Sequence, residues 1–364
     1  MNLALQVDFD PSRPTGIGRY GIELSRSLEA SGEKPTVWIE SGRLAAWKRL
    51  GIGTGPVRVL HRPGRISSRI GPGVFSALDG VDLVHSFGST VPSIHGGRTK
   101  RSTMIHDLGP FLHPEMKEAG DTAAWRARIS DAAGCADCLL VNSRTTMDDL
   151  LGIFPLAEGR VFLTPPGVDH LPPPSDPGRK PPGGGHVLMV GLIEPRKNLG
   201  RVFEAWAMLE REAGPGGLPN LVVAGADGFR AGEIRDIPAR LGIAGSVRFE
   251  GYVTERRLAE LYSGASILVH AAVYEGFGFT LPEAFSYGLP VAASGRASIR
   301  EMFSSACDLF DPSDPVSIAT AVKLCMDRGV PEEQLAERRR ILCKYTWANC
   351  AEATMKAFRT VTGA

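Results

Sequence analysis

His186-Val187-Leu188-Met189-Val190-Gly191-Leu192-Ile193-Glu194-Pro195-Arg196-Lys197-Asn198-Leu199 reads as one element ending, a turn, and another element beginning. His186–Val190 is a short apolar run of strand length. From Leu199 to Glu212 the period changes, and Leu199, Val202, Phe203, Trp206 and Leu209 fall on one helical stripe. Asn198 stands where that helix would take its N-cap. A strand that feeds a helix through a short turn is half of a βαβ unit, and such units build parallel sheets covered on both faces.

The same alternation runs along nearly the whole chain. Strands are expected at Leu3–Phe9, Thr36–Glu40, Arg58–Leu60, Leu83–Ser86, Ser102–His106, Cys138–Asn142 and Arg160–Leu163. In the second half they are expected at His186–Val190, Asn220–Ala224, Val247–Glu250, Ser266–His270 and Pro290–Ser294. A chain of 364 residues exceeds one ordinary core. The Pro- and Gly-rich run that follows Thr164-Pro165-Pro166-Gly167-Val168-Asp169, reaching Gly185, builds no core and reads as a hinge. The expected layout is an α/β protein of two doubly wound parallel-sheet domains, residues 1–170 and 186–345, joined by a hinge at 171–185. The segment 346–364 is read as a terminal helix crossing back to the first domain. Ligands of open α/β sheets bind beyond the strands' C-terminal ends, so a cleft between the domains is the expected site.

Composition excludes several classes. Hydrophobic residues make up 43% and charged residues 22%, as in an ordinary globular protein. A net charge of +1 gives no global footprint for nucleic acid. No apolar run approaches the ~20 residues of a membrane span, and Met1–Asp8 lacks a basic leader region, so a cytoplasmic protein is expected. Cys135-Ala136-Asp137-Cys138 has no second pair or histidine cluster to complete a zinc site, and structural thiols are the expectation.

Chemistry concentrates in two places. Arg196 and Lys197 sit beside the positive end of a helix dipole, which is unfavourable unless an anion is shared; a diphosphate would remove the conflict. The alternative is two solvated cations, one paired with Glu194. Further on, Tyr274-Glu275-Gly276-Phe277-Gly278-Phe279-Thr280-Leu281-Pro282-Glu283 places two carboxylates around a glycine-bearing loop. The glycines allow backbone N–H groups to approach a ligand. Glu283 suits a ribose diol and Glu275 a transferred sugar, although Thr280 and Glu283 also fit a capping box.

These motifs, with Thr15-Gly16-Ile17-Gly18-Arg19-Tyr20, Val84-His85-Ser86, Ile105-His106-Asp107-Leu108, Asn142-Ser143 and Pro166-Gly167-Val168-Asp169 in order, resemble the retaining GT-B glycosyltransferases of the large group 1 family. The likeness covers nearly the whole chain and is similar to the branch containing bacterial O-antigen and polysaccharide mannosyltransferases. It implies that Arg196 and Lys197 hold a donor diphosphate and that Glu275, with the backbone of Gly276, Phe277, Gly278, Phe279 and Thr280, orients the donor sugar. It implies further that Glu283 binds ribose, that Gly16 and Gly18 form a loop near the phosphates, and that His106 is the active-site histidine. Many members carry Gly-Arg where this chain has Gly191-Leu192, which leaves more of the phosphate to Arg196 and Lys197. The donor expected first is GDP-mannose, and the acceptor a saccharide or lipid-linked oligosaccharide. No Asp-x-Asp ends a strand near the cations, so transfer without a metal ion is expected.

Two other readings compete. Gly16, Gly18 and Gly21 match the spacing of an NAD-binding turn, with Glu40 as its ribose acid, but Asp10–Thr15 intervene between strand and glycines. A non-catalytic nucleotide-sugar binding protein would keep the same fold. Ser41–Leu78 carries Arg43, Lys48, Arg49, Arg58, Arg62, Arg65 and Arg69 and no acid, and Leu44–Leu50 suggests a helix with Trp47 at an interface. Peripheral contact with anionic membrane is the corresponding expectation.

Overall fold

The computed structural model describes residues 1–53, 55–60, 80–94, 97–172, 185–214 and 216–364. Most of the stretch read as a hinge therefore lies outside the described residues, as do Arg62, Arg65 and Arg69. The chain divides into two compact units. One comprises Met1–Leu108, Thr122–His170 and Tyr345–Ala364; the other comprises Gly109–Asp121 and Leu171–Lys344.

The first unit is built on β1 (Leu3–Val7), β2 (Thr36–Glu40), β3 (Val57–Leu60), β4 (Leu83–Ser86), β5 (Lys100–Ile105), β6 (Cys138–Val141) and β7 (Val161–Leu163). They form one sheet in the order β3-β2-β1-β4-β5-β6-β7, parallel throughout. The second holds β8 (His186–Val190), β9 (Leu221–Ala224), β10 (Val247–Gly251), β11 (Ala265–His270), β12 (Val291–Ser294) and β13 (Asp308–Phe310). Their order is β10-β9-β8-β11-β12-β13, again parallel throughout. Each run expected to be a strand is one, within two residues at either end. The short β13 is the addition.

The stripe on helix Leu199–Ala213 is the inner face foreseen. Leu199, Val202, Phe203, Trp206 and Leu209 are buried against Val187 and Met189 of β8 and Val223 of β9. Removing each such side chain from water stabilises the unit by about 1.5–3 kcal/mol. Helix Trp347–Thr362 buries Trp347, Cys350, Ala351, Thr354, Met355, Ala357 and Phe358, and belongs to the first unit. The Trp347 N–H donates to Asp169 (2.9 Å) and the Val168 N–H to the Tyr345 carbonyl (3.0 Å).

Arg338 ties helix Glu332–Lys344 to helix Thr280–Ser286. Its buried guanidinium donates to the carbonyls of Ala306 (2.8 Å) and Leu289 (2.7 Å) and lies 4.6 Å over the Phe285 ring. Burial pushes this guanidinium down to about 10.

Both sheets reverse their strand order once, between β1 and β4 and between β8 and β11. The chains leaving the C-terminal ends of such a pair diverge, which opens a crevice suited to a ligand. β8 ends next to Gly191 and the Arg196-Lys197 turn, and β11 ends at His270, just before Glu275. The motif residues of the second half are therefore gathered by topology.

Candidate active site

Gly191 begins the site. Its φ of 142° is open to glycine, and a Cβ there would lie 2.8 Å from Cε of Lys197. Glycine thus lets the Lys197 side chain pass across the end of β8. A 3-10 turn, Pro195–Lys197, follows, and Asn198 takes a left-handed conformation with φ of 58°. Asn198 stands at the N-cap position of the next helix, as expected, but without a side-chain bond to the helix end. Its amide is turned away and donates to the Pro312 carbonyl (2.7 Å).

The Glu275 loop is tied to that turn through backbone and side chains. The Val273 N–H donates to the Arg196 carbonyl (3.0 Å), Arg196 Nη1 donates to the Tyr274 carbonyl (3.1 Å), and Ser298 Oγ donates to the Glu275 carbonyl (2.7 Å). Arg196 then meets two carboxylates, with Nη1 2.9 Å from Glu275 Oε2 and Nη2 2.9 Å from Glu194 Oε1. Lys197 Nζ closes on Glu275 Oε1. The side chains of Arg196, Lys197 and Glu275 are only 15%, 16% and 12% exposed, so these are not solvated surface cations. Burial alone would raise the Glu275 carboxyl. Arg196 and Lys197 outweigh it and hold the group well below the usual carboxylate range.

His270, which closes β11, was not singled out by sequence reasoning. It is 5% exposed, its Nδ1 lies 3.0 Å from Thr280 Oγ1, and its Nε2 is 4.0 Å from Glu275 Oε1. That separation is beyond hydrogen bonding, and Nε2 has no hydrogen-bond partner among the described residues. Burial pushes the imidazole down to about 4, with the nearby cations adding to the effect and Glu275 opposing it. Its only sequence signal was its position at a strand end. Gly191, Lys197, Leu199, His270 and Ala272 line a small recess here.

The expected capping box does not form. Helix Thr280–Ser286 has Phe279 at its cap position, Thr280 turns its hydroxyl to His270, and the buried Glu283 accepts from the Tyr262 hydroxyl (2.7 Å). Tyr262 stacks on Tyr287, with centroids 5.3 Å apart. Gly278 has φ of 87°, and a Cβ there would strike Ile299 Cδ1 at 2.3 Å. Phe277 is buried edge-on to Phe279 and Phe303, so Gly276–Thr280 offers backbone while Phe277 anchors the loop in the core. His113, from the short segment that joins the second unit, packs 5.4 Å from the Tyr274 ring.

In the first unit, His106 follows β5. Its Nε2 lies 2.7 Å from the Phe87 carbonyl, which can only accept, so Nε2 carries the proton and Nδ1 the lone pair. The ring therefore takes its orientation from Phe87, not from Asp107, and it stands edge-on to Tyr20 at 5.2 Å. Burial lowers its proton affinity. His85, in β4, is fully buried, bonded to Ser102 Oγ (3.0 Å) and packed on Phe358. Gly16 opens helix Gly16–Ala30 and is exposed with free space around it. Gly18 and Gly21 lie against Phe9, at 3.2 Å and 2.3 Å for an added Cβ, so they serve helix packing. That accounts for the glycine spacing without an NAD turn.

Asp8, another residue that sequence reasoning missed, leaves the end of β1. It accepts from the Gly88 N–H (3.0 Å), while its Oδ1 has no partner among the described residues. Burial raises its carboxyl to about 6. The placement of Trp47 at an interface is corrected: it is 1% exposed and packs 6.3 Å from Phe9. All six cysteines are free thiols. No helix among the described residues is long and apolar enough to cross a membrane.

Two parallel-sheet units, one of which gathers cations and carboxylates where its strand order reverses, define an α/β protein with a charged site at a switch point. Residues 14–170 match the model of Glycosyltransferase Family 4, and residues 175–341 match that of Glycosyl transferases group 1. The chain belongs to the group 1 glycosyltransferases. It is 26% identical over 266 residues to O-antigen chain mannosyltransferase B of Escherichia coli, covering 71% of this chain and 69% of that one. It is 24% identical over 398 aligned positions to D-inositol 3-phosphate glycosyltransferase of Xylanimonas cellulosilytica, covering 95% and 92%. Its fold is similar to that of sucrose-phosphate synthase from Thermosynechococcus elongatus, with a TM-score of 0.75, 18% identity and full coverage of both chains. The architecture is GT-B.

Proposed function

We propose that this glycosyltransferase moves a hexose from a nucleoside-diphosphate sugar, first GDP-mannose, onto a growing lipid-linked bacterial surface polysaccharide, with retention and without a divalent ion. The observation that carries the donor half is the convergence of Arg196 and Lys197 on one carboxylate, Glu275. A diphosphate offers those cations the same oxygen acceptors with more charge. As the glycosidic bond breaks, charge collects on the departing diphosphate, and two fixed cations in a poorly solvated site stabilise it. That is the work a divalent metal would otherwise do.

Glu275, released from the cations, is free to bind sugar hydroxyls, and Glu283 with the Tyr262 hydroxyl serves the ribose. His106 accepts from a sugar hydroxyl through Nδ1. Retention follows from attack by the acceptor hydroxyl on the face the diphosphate leaves. Mannose is favoured by the likeness to O-antigen chain mannosyltransferase B. The exposed Lys48 and Arg49 support peripheral contact with anionic lipid, now without Trp47 as an anchor.

Thermal melting with GDP, UDP, dTDP, GDP-mannose and UDP-glucose tests the donor, because a ligand stabilises in proportion to its affinity and concentration. GDP-mannose is expected to raise the transition most, with and without EDTA. Melting unmoved by every nucleotide would remove the proposal.

A further inference from the structure

The neutral His270 ring carries one proton, and its surroundings decide where. If Nδ1 held it, the Nε2 lone pair would face the Glu275 carboxylate, which is repulsive. With the Thr280 hydroxyl donating to Nδ1 (3.0 Å), Nε2 bears the hydrogen and presents it to Glu275 Oε1 at 4.0 Å. A buried N–H without an acceptor is unfavourable, which points to another state of the site that uses this donor.

The charges nearby show which state that is. Arg196 and Lys197 are balanced by Glu194 and Glu275. Two negative charges arriving as a diphosphate must draw the cations from Glu275, since Glu194 is held by both Nε and Nη2 of Arg196. Glu275 is then a buried carboxylate that has lost its partners. The nearest unused donor is His270 Nε2–H, about 1 Å short of a hydrogen bond by ordinary geometry.

Resting on the function proposed above, we propose that His270 is a positioning residue for Glu275: when a donor diphosphate occupies Arg196 and Lys197, the Nε2–H of His270 takes hold of the Glu275 carboxylate and keeps it turned to the sugar. Thr280 belongs to the same device, because its hydroxyl selects the tautomer. With the nucleoside diphosphate alone, water in the empty sugar position solvates Glu275; a bound sugar excludes that water, and the hold is needed then.

The test measures hydrolysis of GDP-mannose and UDP-glucose and calorimetric affinity for GDP and UDP in wild type, His270→Leu, His270→Gln and Thr280→Val. His270→Leu is expected to lower kcat for donor hydrolysis roughly 10- to 100-fold, as loss of one charged hydrogen bond would. Its affinity for GDP and UDP should stay within about threefold of wild type. His270→Gln, which keeps an N–H of similar reach, should recover most of the loss. His270→Leu at the wild-type rate, a Gln variant no better than Leu, or loss of nucleotide affinity in step with rate would overturn the assignment. If the Leu variant does not fold, Thr280→Val decides: slower hydrolysis at unchanged GDP and UDP affinity supports the device, and an unchanged rate removes it. Wild type that binds none of these nucleotides sinks the donor reading itself, and His270 with it.

Discussion

Lys197 and Glu275 hold one another in the free protein, so their single variants should differ in kind. Lys197→Met takes a cation from the phosphate and is expected to weaken GDP or UDP binding by about tenfold or more, measured by calorimetry. Glu275→Ala leaves Lys197 without its carboxylate and Arg196 with Glu194 alone, so it should keep or tighten nucleotide binding while donor hydrolysis falls about a hundredfold. Parallel losses in both assays would contradict that division. Asp8 offers a pH signature. Its carboxyl is raised to about 6 from an ordinary 3.8, so stability is lost as pH rises from about 3.8 to 6 and the loss persists above that. Asp8→Asn should raise Tm by a few degrees at pH 7.5 and leave it unchanged near pH 3, where the carboxyl is mostly protonated in the folded and the unfolded wild type alike.

At the scale of elements, Gly191→Ala forces a Cβ onto the Lys197 shaft at 2.8 Å in a backbone region that suits glycine. Nucleotide affinity should drop as in Lys197→Met, with a lower Tm besides. Arg338→Met removes the ties to Leu289 and Ala306 that brace the Glu283 helix; Tm should fall, with a larger rise in donor KM than drop in kcat. The elements themselves were legible because buried parallel strands are apolar runs and the covering helices carry clear stripes, as in Leu199–Leu209. β13 was missed because three residues, Asp308–Phe310, carry no period. The cations and carboxylates were legible as motifs, whereas their mutual pairing was not: Glu275 is 78 positions from Lys197, and only the β8–β11 reversal brings them together. His270 and Asp8 escaped for the same reason, since each is an ordinary polar end to an apolar strand until its neighbours are known. The capping bonds are absent because the Asn198 side chain is turned to the Pro312 carbonyl and the Thr280 hydroxyl to His270.

At the scale of the whole molecule, buried histidines set an acid limit. His85 is held near 3 and His270 near 4 by burial, both below the ordinary 6.5. The unfolded chain takes up protons at these sites as pH falls through 6.5 while the folded chain does not, so stability should decline between about pH 6.5 and 4. Glu275 adds to the loss below its ordinary 4.5, and Tm against pH in non-binding buffers measures the slope. One structural feature reaches past equilibrium. The helix Trp347–Thr362 belongs to the core that begins with Leu3. The first unit therefore cannot finish folding until residues 345–364 are available, after the whole second unit has been translated.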